Sequence, residues 1–405
     1  MERSYTDLGW LKDWTTIKVE IAEPGFQTKV IIPPATTLYD CQLCWLDDDD
    51  GAMVVTDIGG QAEPGWDPIK GHGAVFKVHP DDRIETIVPY GSTGRAMIMS
   101  SVVSPKDFGG GGEYANRVFP LGQLRPGRNG AHNTHAMYWV PEGAKWPEHY
   151  AVMPDAGSVD GGKSGALVSA LTNVTGEKIC QGFGLPGTPE HGYMFMVAMF
   201  NCVLYKITAK RQVWPYVIGD AEHSGVQFMP RCLYRAPASW GQHAGKLICQ
   251  GVANHSFSRA APKPGEPALK EEAVFFVLED QGDGKLAKIT QIDTTGLPPV
   301  EIREWGSIAP ASWGPFAGQR FHIDIGSVNL MQTTMMPDEA LPYDAVIYRT
   351  DEKGQQHVFA RNIQGGHPTI KFQGDRLLVG AIGKSYSTGD FHYPDGSLIA
   401  IELQK

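Results

Sequence analysis

A ten-residue segment occurs twice in this chain. Ala236-Pro-Ala-Ser-Trp-Gly-Gln-His-Ala-Gly245 returns as Ala309-Pro-Ala-Ser-Trp-Gly-Pro-Phe-Ala-Gly318, so that Trp240 recurs as Trp313. A looser copy, Pro105-Lys-Asp-Phe108-Gly109, leads into Arg117-Val-Phe-Pro-Leu-Gly122. Each copy stands between two apolar runs and therefore reads as a glycine-rich connection between neighbouring antiparallel strands. A unit of this kind, repeated along the chain, buries its faces against copies of itself, and one such connection per blade is what a β-propeller requires.

The rest of the chain divides on that basis. With 48 glycines and 29 prolines in 405 residues it suits many short strands better than a few long helices. In blade one, Leu38 to Leu46 reads as the innermost strand, Asp47 to Asp50 with Gly51 as a turn, and Met53 to Thr56 as the second strand. Ala74 to Val78 and Ile84 to Val88 follow as the third and fourth. Blade two spans about Ala96 to Met153, blade three Ala166 to Val217, blade four Gly225 to Ile292 and blade five Val300 to Ala360. The last blade holds Pro368 to Phe372, Arg376 to Ala381 and Ser397 to Leu403, one strand short. Thr28-Lys-Val-Ile-Ile-Pro33 resembles the outer strand Glu85-Thr-Ile-Val-Pro89 and can supply it, which removes two exposed edges. The expectation is an all-β, six-bladed β-propeller, one domain over residues 1–405, closed by an N-terminal strand that completes the last blade.

Charge and composition narrow the partners. A net charge of −10 argues against nucleic acid and anionic membranes, which need a basic footprint. No apolar run is long enough to span a bilayer, and Met1 to Trp14 lacks the order of a signal peptide, so a cytoplasmic location and a small-molecule partner are expected. Six cysteines are too few for a disulfide scaffold. Cys41 and Cys44 form a lone CxxC, and alternation along their strand puts them on opposite faces, as buried small hydrophobes.

In a propeller the start of each innermost strand and the end of the next lie on one face, because the two run antiparallel. Their loops build the mouth of the channel. At the strand starts, His367-Pro-Thr-Ile-Lys-Phe372 aligns with His223-Ser-Gly-Val-Gln-Phe228 and with Asp40-Cys-Gln-Leu-Cys-Trp45. At the ends of second strands, Thr56-Asp57-Ile-Gly-Gly60 aligns with Ile323-Asp324-Ile-Gly-Ser327. Asn254 and His255 follow the same strand of blade four, Lys384 that of blade six, and Arg128 that of blade two. His223, His367 and Asp40 are therefore the catalytic candidates. A histidine near its ordinary pKa can accept or donate a proton at neutral pH, and a carboxylate beside it can orient the ring. Asn254, His255, Lys384 and Arg128 are candidates for binding substrate, and Asp57 and Asp324 for one divalent metal ion. Against this, a histidine at a blade edge is commonly a hydrogen-bonded structural residue, and an aspartate at a strand end commonly caps a turn.

Other residues read as structure. His72, His79 and His243 stand in loops and are expected to be exposed. Trp240 and Trp313 recur with the blade, which suggests packing between blades, and Tyr193, Phe195 and Phe200 fall in an apolar stretch that reads as core. The glycine run Gly109 to Gly112 has no following Lys-Ser/Thr and no dinucleotide-fold context, so it does not read as a phosphate loop.

The blade-one run from Trp45 to Pro89, with VVTDIGG and GHGAVFKVHPDDRIETIVP, resembles blades of the NHL and gluconolactonase-like six-bladed propellers. That group includes metal-dependent lactonases and lyases, which implies a small-molecule site on the propeller face. The early Glu-Gly-Pro ligand and the Asn-Gly-Leu strand start of the lactonases have no counterpart here. A fainter similarity is to propeller enzymes that close rings in natural-product pathways, among them hetero-Diels–Alder catalysts. Three readings follow: a lyase or a ring-opening or ring-closing enzyme using His223 and His367 as acid and base, a cyclase acting mainly by shape on an apolar substrate, and a non-catalytic binding or scaffold propeller. The long connections Leu124 to Thr134 and Ser256 to Glu271 suit lids better than plain turns and favour a small-molecule site.

Overall fold

The structure is a computed structural model. It describes residues 19–33, 42–45, 51–57, 74–89, 96–104, 108–124, 134–144, 146–152, 177–178, 193–198, 202–236, 238–253, 272–297, 306–324, 345–364, 369–381 and 396–404. Contacts group it into two compact units, Met1–Ile98 with Glu301–Lys405, and Met99–Val300.

The strands of the first unit begin with two N-terminal ones, β1 (Glu20–Ile21) and β2 (Phe26–Ile32), followed by a four-stranded meander. That meander comprises β3 (Gln42–Trp45), β4 (Met53–Asp57), β5 (Ala74–Val78) and β6 (Ile84–Val88). The second unit contributes three meanders. They are β7 (Ala96–Val103) to β10 (Glu148–Val152) by way of β8 (Val118–Leu124) and β9 (Thr134–Trp139); β11 (Glu177–Lys178), β12 (Met194–Ala198), β13 (Val203–Ile207) and β14 (Val213–Ile218); and β15 (Phe228–Arg235), β16 (Leu247–Ala253), β17 (Glu272–Glu279) and β18 (Lys288–Ile292). The chain then returns to the first unit with β19 (Gly306–Ile308), β20 (Arg320–Asp324), β21 (Ala345–Thr350), β22 (Gln356–Ile363), β23 (Thr369–Gln373), β24 (Arg376–Ala381) and β25 (Ser397–Leu403).

The described strands form six antiparallel sheets, five of four strands and one of five, and the fold is all-β, of the propeller type. The last sheet has the order β2-β25-β24-β23, so the N-terminal strand supplies the edge that the C-terminal segment lacks. Phe26 pairs with Leu403 and Lys29 with Ala400. One strand was not anticipated: β1 adds a fifth edge to the sheet of β19 to β22, pairing Glu20 with Arg361. The N-terminal segment thus covers two neighbouring sheet edges in succession.

The burial gradient across a sheet explains why the strands were legible. β4 (Met-Val-Val-Thr-Asp), β13, β23 and β24 (Arg-Leu-Leu-Val-Gly-Ala) are buried at every position, because sheets pack on both of their faces. The outer strands β2, β6 and β18 are mostly exposed along their length. In the first unit Trp313, Phe321 and Phe359 pack with Phe372 of the next sheet and with Phe26 of β2, while Leu378, Leu398 and Ala400 pack against Met53, Val55 and Phe76. In the second unit Phe108, Phe119, Trp139 and Tyr150 pack with Met194, Val203 and Tyr205.

The repeated segment is a structural repeat as well. Each copy connects the first strand of a sheet to its second, with Gly241 at φ 57°, ψ −118° and Gly314 at φ 56°, ψ −115°. The bonds Ala236 N–H to Lys246 O and Gly245 N–H to Ala236 O recur as Ala309 N–H to Gln319 O and Gly318 N–H to Ala309 O, at 2.8–2.9 Å. The looser copy closes the same way, from Ser104 N–H to Arg117 O, with Phe108 in the tryptophan's place. Gly109 there is a packing glycine: a Cβ would lie 2.5 Å from the Ala209 Cβ. Trp313 donates from Nε1 to the Asp375 carbonyl of the following sheet at 2.8 Å, as packing between blades requires.

One expectation is corrected here. His79 is 5% exposed, not an open loop residue. It begins the tight turn between β5 and β6, donating from its backbone N–H to Arg83 O and accepting at its carbonyl from Arg376. Of the other two, His243 is half-buried, and His72 lies outside the described residues.

Candidate active site

In the second unit the chain leaves β14 at Ile218 and enters β15 at Phe228 through a single helical turn, α1 (Ala221–Ser224). Gly219 makes the entry possible. Its N–H donates to Cys202 O at 2.7 Å and its carbonyl accepts from Phe228 N–H at 2.8 Å. A Cβ on Gly219 would stand 2.1 Å from the Phe228 carbonyl oxygen, so only glycine fits this approach. Asp220 is the N-cap, its Oδ1 accepting from His223 N–H at 2.8 Å, and Gly225 at φ 75° ends the turn. Ser224 adds a bond from Oγ to the Ile218 carbonyl.

The turn presents His223 in a defined pose. Its Nδ1 lies 2.8 Å from Asp220 Oδ1 and 2.9 Å from Oδ2, and the two side chains are 30% and 33% exposed. This is an imidazole held by a carboxylate at a sheet end where a second strand finishes and a first begins. Sequence reasoning looked for the orienting carboxylate among Asp40, Asp57 and Asp324, whereas the group that touches His223 is Asp220. Asp220-x-x-His223 followed by Ser224-Gly225 is an N-cap and a C-cap five residues apart, and that spacing was the signal available.

The alignment of His223 with His367 and Asp40 does not survive in the strands. Asp40 and His367 both stand two positions ahead of a first strand, β3 and β23, whose ladders run alike: Trp45 pairs with Met53 and Phe372 with Leu377. Phe228 instead opens β15 and pairs with Ala253, the last residue of β16. His223 is five positions ahead of that strand, displaced by the helical turn. Asp40 and His367 lie outside the described residues, as do Arg128, Asn254, His255 and Lys384.

In the first unit the other alignment holds at the level of the strands. Asp57 is the last residue of β4, paired with Ala74, and Asp324 is the last residue of β20, paired with Val346. The Asp57 side chain is fully buried. Among the described residues no group of three or more His, Cys, Asp or Glu side chains is placed to hold a metal ion. Cys202 and Cys249 are buried and in no disulfide, and burial pushes the Cys249 thiol up to about 12, away from thiolate chemistry.

The aromatic stretch of the third sheet contains a charge that composition did not reveal. Lys206 on β13 is fully buried, with Nζ 2.6 Å from Asp280 Oδ1 and 3.9 Å from the centroid of the Tyr193 ring. Trp214 and Tyr216 flank it. Tyr193 donates to Asp283 Oδ1 at 2.8 Å, and its burial, with that acidic partner, pushes the phenol up to about 12. Phe195 is fully buried core, as expected, whereas Tyr193 serves this ion pair; Phe200 lies outside the described residues.

No family model matches the chain, and no curated protein matches it. Solved structures do. A streptogramin B lyase is 12% identical over 94% of this chain and 98% of its own, at a TM-score of 0.45. A catalytically inactive virginiamycin B lyase from Staphylococcus aureus, with quinupristin, is 11% identical over 94% and 100%, at 0.44. The soluble aldose sugar dehydrogenase of Escherichia coli is 11% identical over 94% and 100%, at 0.42. These similarities span different reactions and assign none of them to this chain. Among the described residues no helix is long and apolar enough to cross a membrane.

Proposed function

We propose that the chain is a single six-bladed propeller enzyme acting on a small organic molecule, with His223 as a proton-transfer group at the channel mouth. The observation that carries this is the Asp220–His223 pair. The imidazole is clamped on a preformed turn by a carboxylate on Nδ1 while remaining 30% exposed, the arrangement general acid–base catalysis needs. A lyase or a ring-opening or ring-closing reaction suits such a group, with His367 as its counterpart and Asn254, His255, Lys384 and Arg128 binding substrate.

The test is turnover of a panel of lactones, cyclic esters and β-substituted acids, followed by proton release. The panel is run on the intact protein and on the double variant His223→Ala/His367→Ala, with metal content measured before and after chelation. The reading expects a loss of about 10²- to 10⁴-fold in the folded double variant. Unchanged turnover in that variant refutes it. Stoichiometric metal whose removal abolishes turnover makes Asp57 and Asp324 the residues to replace next.

A further inference from the structure

We infer that Asp220 is a positioning residue that fixes the tautomer of His223, keeping the ring proton on Nδ1 and the Nε2 lone pair directed away from the turn. The inference rests on the proposed role of His223 but concerns a property that can be read without any substrate.

Both carboxylate oxygens of Asp220 lie within hydrogen-bond distance of Nδ1, at 2.8 and 2.9 Å. An ionised carboxylate only accepts, so Nδ1 must carry the hydrogen whenever the ring is neutral. The remaining nitrogen, Nε2, is then the acceptor. Free imidazole side chains favour the opposite tautomer, with hydrogen on Nε2, so the fold selects the less common form. The turn holds the pair in this relation from three sides. Asp220 Oδ1 also takes the His223 backbone N–H at 2.8 Å, tying the carboxylate to the residue whose ring it orients. Gly219 anchors the entry to Cys202 and Phe228, and Ser224 anchors the exit to Ile218. Whenever the ring is neutral, this tautomer offers Nε2 as the proton acceptor, so the neutral form acts by removing a proton from the substrate. That confines the substrate class to molecules with an ionisable O–H, N–H or activated C–H, or with a water positioned to attack.

The experiment is nuclear magnetic resonance on the full chain labelled with ¹⁵N and ¹³C in histidine only, above the titration of the ring, with His223→Gln to assign the signal. The expected result is the Nδ1–H pattern for His223 in the intact protein. In Asp220→Ala it should revert to the Nε2–H pattern. Asp220→Asn should keep the cap and the Nδ1–H form, because the amide oxygen still accepts. An Nε2–H signal in the intact protein overturns the inference, and so does an Nδ1–H signal that persists in Asp220→Ala. Backbone amide spectra of the variants report whether the turn is intact, and Asp220→Asn restores it should the alanine variant lose it. The outcome is independent of turnover. A correct tautomer with a catalytically silent His223→Gln sinks the proposed function alone, whereas a wrong tautomer sinks only the role of Asp220.

Discussion

In three sheets the connection between third and fourth strands is a tight turn of five residues, and in four sheets the connection between second and third strands is nine residues or longer. Third strands pass to fourth strands through 79–83, 208–212 and 351–355, whereas second strands pass to third strands through 58–73, 125–133, 254–271 and 325–344. The tight end is closed by a repeated hydrogen-bond pattern. His79, Thr208 and Asp351 donate from their backbone N–H to the carbonyls of Arg83, Gln212 and Gln355 respectively, and their own carbonyls accept from the N–H of Asp82, Arg211 and Gly354. Neighbouring sheets dock on these turns. In the first unit Gln373 donates to the Gly51 and Val78 carbonyls at 2.9 Å, and Arg376 reaches the His79 carbonyl and the Asp82 carboxylate, which also takes Lys29 of β2. In the second, Arg211 donates to the Tyr114 hydroxyl, and Lys206 meets Asp280. The opposite end carries His223 with Asp220, and the strand-final Asp57 and Asp324. The difference teaches a division of labour among the described residues: the tight turns fasten neighbouring sheets within each unit, whereas the opposite end, besides the Gly219 contacts to Cys202 and Phe228, holds the candidate acid–base pair.

The largest test of that division is Trp313→Ala. The ring is 1% exposed, with its centroid 4.7 Å from Phe372 and 4.8 Å from Phe26, and its Nε1 is bonded to the next sheet. Removing it leaves a cavity where three elements meet and should cost about 3–5 kcal/mol, read by chemical denaturation. A loss below about 1 kcal/mol would mean that the repeated loop is not a fastening point.

Asp82 gives a smaller effect with a defined pH signature. Burial works to raise its carboxyl, but the hydrogen bonds and charges of Lys29 and Arg376 outweigh it and leave the pKa below the ordinary aspartate value. A depressed folded-state pKa contributes stability above the unfolded value, near 4, which is lost as pH falls through the folded value. Lys29 is half-exposed and adds little, so the buried Arg376 carries the contact. Asp82→Asn should therefore cost about 1.5–3 kcal/mol at pH 7 and less at pH 2, as the carboxylate protonates. Equal losses at both pH values would show that the carboxylate charge is not what fastens β2 and β24 to this turn.

The two ends were unequally legible in the sequence. Strands such as Met53–Asp57 and Arg376–Ala381 were readable because burial on both faces demands unbroken apolar runs. The Trp240 and Trp313 loops were readable because their backbone bonds recur with their residues. The Lys29–Asp82–Arg376 cluster was not, since nothing local ties residues so far apart in the chain. Lys206 was hidden for the same reason: its partner Asp280 belongs to the next sheet. At His223 the error was local. Matching Phe228 to Phe372 assumed strand up to the histidine, when the caps Asp220 and Gly225 already called for a helical turn.

The smallest expected effect on stability is at that histidine, and it bears most directly on the division between the two ends. His223→Gln removes an exposed ring whose contact with Asp220 is a surface hydrogen bond between side chains three residues apart, worth a few tenths of a kcal/mol. The backbone bond from residue 223 to the Asp220 carboxylate does not depend on the ring, so the cap survives the change. Denaturation should show a change under about 0.5 kcal/mol. A loss approaching that of Asp82→Asn would place His223 among the fastening residues and return it to a structural role, since a side chain this exposed can cost so much only by holding α1 against β15. A negligible loss leaves the solvent-reachable imidazole without a structural purpose, as the proposed proton transfer requires, and hands the decision to the turnover of the His223→Ala/His367→Ala variant.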